Sequence, residues 1–204
     1  MAYIKKFCPK RFNQYCYFPS LGSSGGLITI WNGSLFSGIT ISANKYHVTV
    51  ELTCKISANV WYLTNIYGPA HHEDKQDFFD WLLSIDNTPM HNWIILGDFN
   101  LIRSTGNRNW GTGDINHMLM FNSIIAQLDL EDIPIKGRAY TWSNMQDDPL
   151  LVKLDWIFTS GNWTNCFPNT VVSPLSKLSS DHIPIKIQIG TYIPKSKIFR
   201  FEEY

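Results

Sequence analysis

The sequence predicts a layered α/β sandwich from three observations. A strict alternation of apolar and polar side chains at residues 48–56 indicates a half-buried strand. Apolar side chains recur at helical spacing in residues 78–85 and 118–128, which indicates two amphipathic helices. Strands outnumber helices and include both a hairpin and crossover connections. A layered sandwich is therefore favoured over a doubly wound Rossmann fold.

The first half of the chain predicts a turn, a buried strand and a hairpin. Residues 20–26 are rich in glycine and serine and predict the turn, which lacks the lysine of a phosphate-binding loop. Residues Leu27–Trp31 follow as a short apolar strand. Residues 48–56 and 59–67 are joined by a short link, so we expect them to pair as an antiparallel hairpin.

The second half of the chain alternates helical and strand patterns. Several acidic residues lie just before the apolar pattern of residues 78–85, in the first turn of the predicted helix. A helix N-terminus favours negative charge at these positions. The strands predicted beyond this helix cover residues 93–97, 139–142, 150–158 and 183–189. One hydrophobic core can organise a chain of 204 residues, so a single domain is expected over residues 1–204.

Composition and charge exclude several classes of protein. The chain is 44% hydrophobic and 17% charged, which is typical of a globular domain rather than a disordered one. No apolar run is long enough to span a bilayer and the N-terminus has no secretory pattern, so we expect an intracellular protein without a membrane partner. The formal net charge is zero, so any DNA contact must rely on local patches.

Cysteine and histidine spacing argues against a zinc protein. The four cysteines form no C-x-x-C pair and are interpreted as reduced thiols. The histidines lack H-x-x-x-H spacing, so no zinc site is expected. A Ser-His-Asp hydrolase is disfavoured because the sequence contains no G-x-S-x-G motif.

The basic residues near both termini are interpreted as solvated, and they are Lys5, Lys6, Lys10, Arg11, Lys195, Lys197 and Arg200.

Polar residues at predicted strand ends are the candidates for chemistry. Asp98 and Asn100 follow an apolar strand, and on an extended backbone their side chains would share one face about 6–7 Å apart. Such a pair is also common in turns. Asp155 interrupts an apolar strand, and a carboxylate there needs a partner. His182, next to Asp181, is the candidate, so we predict a hydrogen bond between Asp155 and His182.

Five short motifs follow one another along the chain. They are Asn65-Ile66-Tyr67-Gly68-Pro69, Gly97-Asp98-Phe99-Asn100, Ala139-Tyr140-Thr141-Trp142-Ser143-Asn144, Lys153-Leu154-Asp155 and Ser180-Asp181-His182-Ile183-Pro184. Their order resembles the endonuclease/exonuclease/phosphatase superfamily. Residues 128–144 look more narrowly like the apurinic-type endonuclease domain encoded by plant LINE (non-LTR) retrotransposons. The resemblance runs from about Ile4 to Ile189, which leaves residues 190–204 as a tail.

This resemblance implies a four-layer α/β sandwich, in which two packed mixed sheets are flanked by helices and the active site lies at their rim. It implies metal-dependent hydrolysis of a phosphodiester, with DNA nicking as the reaction. By the family pattern Asp98 activates the attacking water, and Asn100 orients it and supports the transition state. Tyr67 would donate a hydrogen bond to the phosphate.

The remaining family roles fall on the later motifs. His182 would contact the scissile phosphate, Asp155 would fix the tautomer and charge of His182, and Asp181 would support the metal or the water. Trp142 and Asn144 would contact the substrate. Hard oxygen ligands favour Mg2+ or Mn2+ as the cofactor.

One departure from the family pattern concerns its first strands. Family members carry an active-site asparagine and a metal-binding glutamate before the region matched by residues 4–31, so we expect both strands to be missing from this chain. Its first acidic residue, Glu51, lies in the middle of an alternating strand. We therefore expect weak metal binding, impaired nicking and weak, salt-sensitive DNA binding in the nucleus. A non-catalytic relic or binding module, and a phosphatase or exonuclease of the same superfamily, remain the alternatives.

Overall fold

The computed structural model of the protein describes residues 8–20, 26–86, 90–176 and 179–190. The strands are β1 (Gln14–Phe18), β2 (Leu27–Trp31), β3 (Phe36–Asn44), β4 (His47–Cys54), β5 (Val60–Tyr67), β6 (Trp93–Asp98), β7 (Leu130–Asp132), β8 (Trp142–Ser143), β9 (Leu151–Val152), β10 (Asp155–Ser160), β11 (Val171–Pro174) and β12 (Ile185–Gln188). The helices are α1 (Lys75–Leu83), α2 (Ile115–Gln127) and α3 (Gly161–Cys166). Most of the predicted turn at 20–26 and most of the terminal basic residues lie outside the described residues.

A six-stranded mixed sheet organises the fold. Its strand order is β3-β4-β5-β6-β10-β7, and only the β5–β6 pair is parallel. The predicted hairpin is confirmed as the antiparallel β4–β5 pair. Because parallel neighbours need a crossover connection, the chain between β5 and β6 carries α1.

One face of this sheet packs against helices α1 and α2. Trp93 and Ile95 of β6 point to this side and are fully buried. They meet Phe78 of α1 and Phe121 of α2 in the largest hydrophobic cluster. The apolar stripes predicted from helical spacing are therefore the surfaces that bury these two helices.

The opposite face packs against small two-stranded sheets. The β1–β2 pair covers Val48 and Val50, while α3 and the β11–β12 pair cover Ile94 and Ile157. The layered α/β sandwich is thus confirmed, with a large mixed sheet between helices and further sheets. No helix among the described residues has the length and apolar content needed to cross a bilayer.

Two strand predictions were wrong in their bounds. Residues 139–142 form a strand only from Trp142, because Ala139 is exposed and the segment pairs only with the short β9 and through a single bridge with His182. Residues 150–158 are two strands rather than one. The break falls where Lys153 and Leu154 donate backbone N–H bonds to loop residues, so the chain leaves β9 and enters β10 in another sheet.

Strand β3 was missed because its side chains are mostly exposed. It is the edge strand of the large sheet, and even Ile39 and Ile41 are exposed there. The sequence rule relies on one buried face, and this strand does not have one.

Gly97 fixes the end of β6. Its φ is +136°, and a Cβ there would lie 2.2 Å from the carbonyl oxygen of Ile66 on β5. Only glycine allows the two strands to approach at the residue that precedes Asp98.

We therefore expect Gly97→Ala to lower the free energy of unfolding by about 2–4 kcal/mol, because strain and a backbone clash combine. Urea denaturation measures this directly. Gly161→Ala is the matched control, since a Cβ at Gly161 meets nothing within 4 Å. The control should change stability by less than about 0.5 kcal/mol. Equal effects of the two changes would refute the assigned role of Gly97.

Candidate active site

Tyr67, Asp98 and Asp155 stand in one row across the large sheet. Tyr67 pairs with Asp98 in the β5–β6 register, and Asp98 pairs with Asp155 in the β6–β10 register. Side chains paired in this way project from the same face of a sheet. Ile94 and Ile157 share that parity and pack toward the small sheets, so the row faces the same side.

Asp98 and Asn100 form a turn rather than an extended pair. Asn100 has a φ of +51°, so the expectation of an extended backbone with parallel side chains was wrong. The Asn100 backbone N–H donates to Asp98 Oδ1 over 2.9 Å, and its amide donates to Asp98 Oδ2 over 3.1 Å and to the Gly68 carbonyl over 2.9 Å. The local Asx-turn chemistry of Asp98 prevails over strand geometry.

His182 lies between the two carboxylates of the row. Its Nδ1 is 2.9 Å from Asp155 Oδ2, so the predicted hydrogen bond is confirmed. Its Nε2 is 3.6 Å from Asp98 Oδ2. The side chain of His182 keeps 29% of its surface exposed, which leaves it within reach of a ligand.

Thr141 holds Asp155 in place. It is buried, and its Oγ1 accepts hydrogen bonds from the backbone N–H groups of Leu154 and Asp155, both at 3.0 Å. Sequence reasoning did not single out Thr141, because its hydroxyl binds backbone groups at the start of β10 that come close only in the folded chain.

Burial and neighbouring charges shift the protonation of the central groups. Burial, followed by the charge of Asp155, raises the pKa of Asp98 to about 6. The hydrogen bond that His182 Nδ1–H donates to Asp155 is the main cause that raises the pKa of His182 above 6.5. The raised pKa of His182 favours its protonated form, which can pair with the ionised carboxylate of Asp98.

Lys75 is a buried cation beneath the turn. Its ammonium donates hydrogen bonds to the carbonyl oxygens of Pro69 and Asn100. Burial lowers its pKa to about 8. Sequence patterns do not predict its burial, because a lysine in the first turn of an amphipathic helix is usually solvated.

The other candidate residues lie close to His182 or in the adjoining loop. The indole N–H of Trp142 donates to Asp181 Oδ2 over 2.9 Å, and this hydrogen bond lowers the pKa of Asp181. Asp181 itself is exposed. Asn144 Oδ1 accepts hydrogen bonds from the backbone N–H groups of Gln146 and Leu150, which ties its oxygen to the loop. The substrate roles of these residues remain predictions.

A match to a family model confirms the family that the order of the motifs suggested. The model described as the endonuclease/exonuclease/phosphatase family matches residues 4–182. The chain belongs to this family. Curated proteins include no sequence that matches the chain.

Solved structures of this family share its fold. The endonuclease domain of TRAS1, a telomere-specific non-LTR retrotransposon, superposes with a TM-score of 0.67 at 14% identity, covering 89% of this chain and 82% of that one. D. rerio TDP2 complexed with a single-strand DNA product gives 0.54 at 16% identity, covering 90% and 78%. Truncated Caenorhabditis elegans TDP2 gives 0.56 at 12% identity, covering 90% and 77%.

Nucleases of this family generally use divalent metal ions, but the carboxylates near His182 do not assemble a full set of oxygen ligands. Both oxygens of Asp98 accept hydrogen bonds from Asn100. Glu51 Oε2 accepts the hydroxyl of Tyr62, which packs on the helix side of the sheet. Within the described ranges, the only three close metal-ligating side chains lie elsewhere, at His72, Asp114 and His117. The residues that the structure describes therefore do not fit a tightly held Mg2+.

The hydrogen bond that His182 donates to Asp155 predicts how His182 titrates. We expect NMR titration of its imidazole to give a pKa above 6.5 in the wild type. Asp155→Asn should lower that pKa, because the largest cause of the shift is removed. Asp181→Asn is the control and should lower it less, since Asp181 contributes the smallest of the stated charges. An unchanged pKa in Asp155→Asn would contradict the pairing.

Proposed function

We propose that the protein hydrolyses phosphodiester bonds in DNA with the help of a divalent metal, and that it does so as an impaired nicking endonuclease of LINE retrotransposon type. The observation that carries the proposal is the contact of His182 with Asp98 on one side and Asp155 on the other, at 3.6 and 2.9 Å. Neither a core histidine nor a helix cap requires two carboxylates.

Asp98 is suited to accept the proton of the attacking water. Its pKa of about 6 leaves it ionised at neutral pH and close enough to neutrality to act as a general base. Asn100 fixes the carboxylate through two hydrogen bonds, which holds the water acceptor in one orientation. The new oxygen–phosphorus bond forms as the water proton passes to Asp98. The bond from phosphorus to the leaving oxygen breaks, and that oxygen keeps the electron pair and takes up a proton from solvent.

His182 supplies positive charge where the phosphate becomes more negative. Its contact with Asp155 favours the imidazolium, which can bind a non-bridging oxygen of the phosphate. Tyr67, in register with Asp98, is placed to donate a hydrogen bond to the same group. Asp181 orients Trp142, and we assign Trp142 and Asn144 to the substrate side of the site.

DNA is the substrate that the comparisons favour. One similar structure is a retrotransposon endonuclease domain and another is TDP2 complexed with a single-strand DNA product. The net charge of zero allows few phosphate contacts, so binding should be weak and fall with salt. A LINE-type activity would place the protein in the nucleus.

A magnesium or manganese ion would be held weakly. Mg2+ is commonly bound by one or two carboxylates together with substrate phosphates. Here Asp98 is already engaged by Asn100, and Asp181 is exposed and bonded to Trp142. When bound, the ion would neutralise charge on the phosphate.

The second candidate function is a binding module without turnover. The incomplete ligand set favours it, because a site can bind a phosphodiester without cleaving it. A phosphatase or exonuclease of the same family is the third, although the segment Gly137-Arg138-Ala139-Tyr140-Thr141-Trp142 resembles the endonuclease branch.

Nicking of supercoiled plasmid tests this proposal. We expect little nicking at millimolar Mg2+ and a rate that keeps rising as Mg2+ or Mn2+ is increased, because the described part of the chain contributes few ligands. Asp98→Ala should abolish it at every metal concentration.

Each other outcome is decisive. The absence of Asp98-dependent nicking at any metal concentration would refute the nicking endonuclease and leave the binding module and the phosphatase or exonuclease as candidates. Strong nicking at low Mg2+ that is lost in Asp98→Ala would show that the set of metal ligands is complete. It would refute the proposal that the activity is impaired.

The nicking rate should follow a bell-shaped pH profile. The ionised form of Asp98 appears above about pH 6, and the protonated form of His182 is lost above its raised pKa. Asp155→Asn should move the alkaline limb to lower pH, and the acid limb should also move down because the charge of Asp155 contributes to the raised pKa of Asp98. An alkaline limb that does not move would exclude the imidazolium as the acting form.

Asp98→Asn should stabilise the protein while it removes activity. The pKa of Asp98 is about 6 when folded and 3.8 as its ordinary value, so the wild type loses stability as the pH rises through that window. The variant should gain on the order of 1–3 kcal/mol above pH 6 and almost nothing below about pH 4. Urea unfolding at both pH values measures this, with exposed Asp147→Asn as control. A loss of stability at pH 8 would contradict the burial of an ionised carboxylate.

A further inference from the structure

Two histidines and an aspartate meet at the N-terminus of α2. His72 belongs to the short 3-10 helix His72–Asp74, Asp114 is the N-cap residue of α2, and His117 lies in its first turn. The three residues are 42 and 3 positions apart in the chain, so no spacing rule detects them. The expectation that the histidines form no zinc site rested on spacing along the chain, and spacing does not reveal this group.

The distances within the group match those around a single metal ion. His72 Nδ1 and His117 Nδ1 each lie 3.4 Å from Asp114 Oδ2. All three ligand atoms lie within 4.8 Å of one another. Zinc bonds to nitrogen and oxygen are about 2.0–2.1 Å, which puts tetrahedral ligand atoms about 3.3–3.4 Å apart. A small shift of His72 would complete three corners of a tetrahedron.

Asp114 is oriented before any ion binds. Its Oδ1 accepts the backbone N–H of His117 over 3.0 Å as the helix cap, which leaves Oδ2 turned toward both imidazoles. His117 is held by an edge contact with Phe79, at 5.6 Å between ring centroids. Two of the three ligands are thus fixed by contacts that do not involve an ion, so little entropy is lost on binding.

The donor set selects the class of metal. Two imidazole nitrogens and one carboxylate oxygen suit zinc and its neighbours, whereas Mg2+ prefers an all-oxygen shell. A fourth position is open, because the group lines a cavity of about 320 Å³. Asn100 and Trp142 line the same cavity, so an ion here would sit beside the candidate active site without using its central groups.

We propose that His72, Asp114 and His117 bind a divalent transition metal of the zinc class, with the fourth ligand supplied from the cavity. The ion fastens the 3-10 helix that carries His72 to the start of α2. This site is separate from the proposed nuclease chemistry, and its existence does not depend on whether the protein cleaves DNA.

Cobalt binding to the full chain without a histidine tag tests the proposal. We expect one Co2+ to bind per chain at pH 7.5 by calorimetry, with the visible absorption of a tetrahedral complex. His72→Ala should raise the dissociation constant for Co2+ by about 100-fold. Loss of a residue that only supports a metal ligand already lowers metal affinity by about 10–100-fold. His72 is exposed, so its replacement leaves the fold intact. His117→Ala should act in the same way.

Asp114→Asn separates the metal role from the cap. Asparagine caps a helix as well as aspartate does, so folding is retained while the carboxylate charge is lost. We expect this variant to weaken cobalt binding and to abolish the rise in melting temperature that Zn2+ gives the wild type.

The controls use histidines outside the group. His71→Ala removes the neighbouring side chain, and His182→Ala removes the histidine of the candidate active site. Both should bind Co2+ like the wild type. The proposal is overturned if the wild type binds no Co2+, if His72→Ala and His117→Ala bind it unchanged, or if His182→Ala is the variant that loses it.

Discussion

The whole candidate site depends on how the buried carboxylate of Asp98 is held. Gly97 lets β6 approach β5 closely enough for Asp98 to stand in register with Tyr67. The antiparallel partner β10 then brings Asp155 to its other side. Two carboxylates so placed repel each other, and His182 between them offsets that repulsion when it is protonated. The position of Asp98 between β5 and β10 therefore determines both the geometry and the charge of the site.

Much of the fold could be predicted because it rests on buried faces. Helices α1 and α2, the β4–β5 hairpin and β6 all bury a regular apolar stripe or run, and each was predicted. The pairing of Asp155 with His182 followed from the cost of a lone carboxylate in an apolar strand. Edge strand β3 and the break between β9 and β10 were not predicted, since exposure and a change of sheet leave no periodic signal.

Several residues near the site escaped sequence reasoning for a common physical reason. Thr141 positions Asp155, and Lys75 binds the carbonyl oxygen of Asn100, yet both act through backbone groups that are distant in the chain. The group of His72, Asp114 and His117 likewise forms only when a short 3-10 helix meets a helix N-terminus. Such contacts are set by tertiary structure, which composition and spacing do not encode locally.

The pKa of Asp98 is the most direct test of this account. NMR titration of its side-chain carboxyl carbon in the wild-type protein measures it without any need for activity. Because burial and Asp155 both raise this pKa, the account predicts an apparent value of about 6. A value near 3.8, the ordinary value for aspartate, would mean that the carboxylate is solvated and that the row of Tyr67, Asp98 and Asp155 does not form the site described.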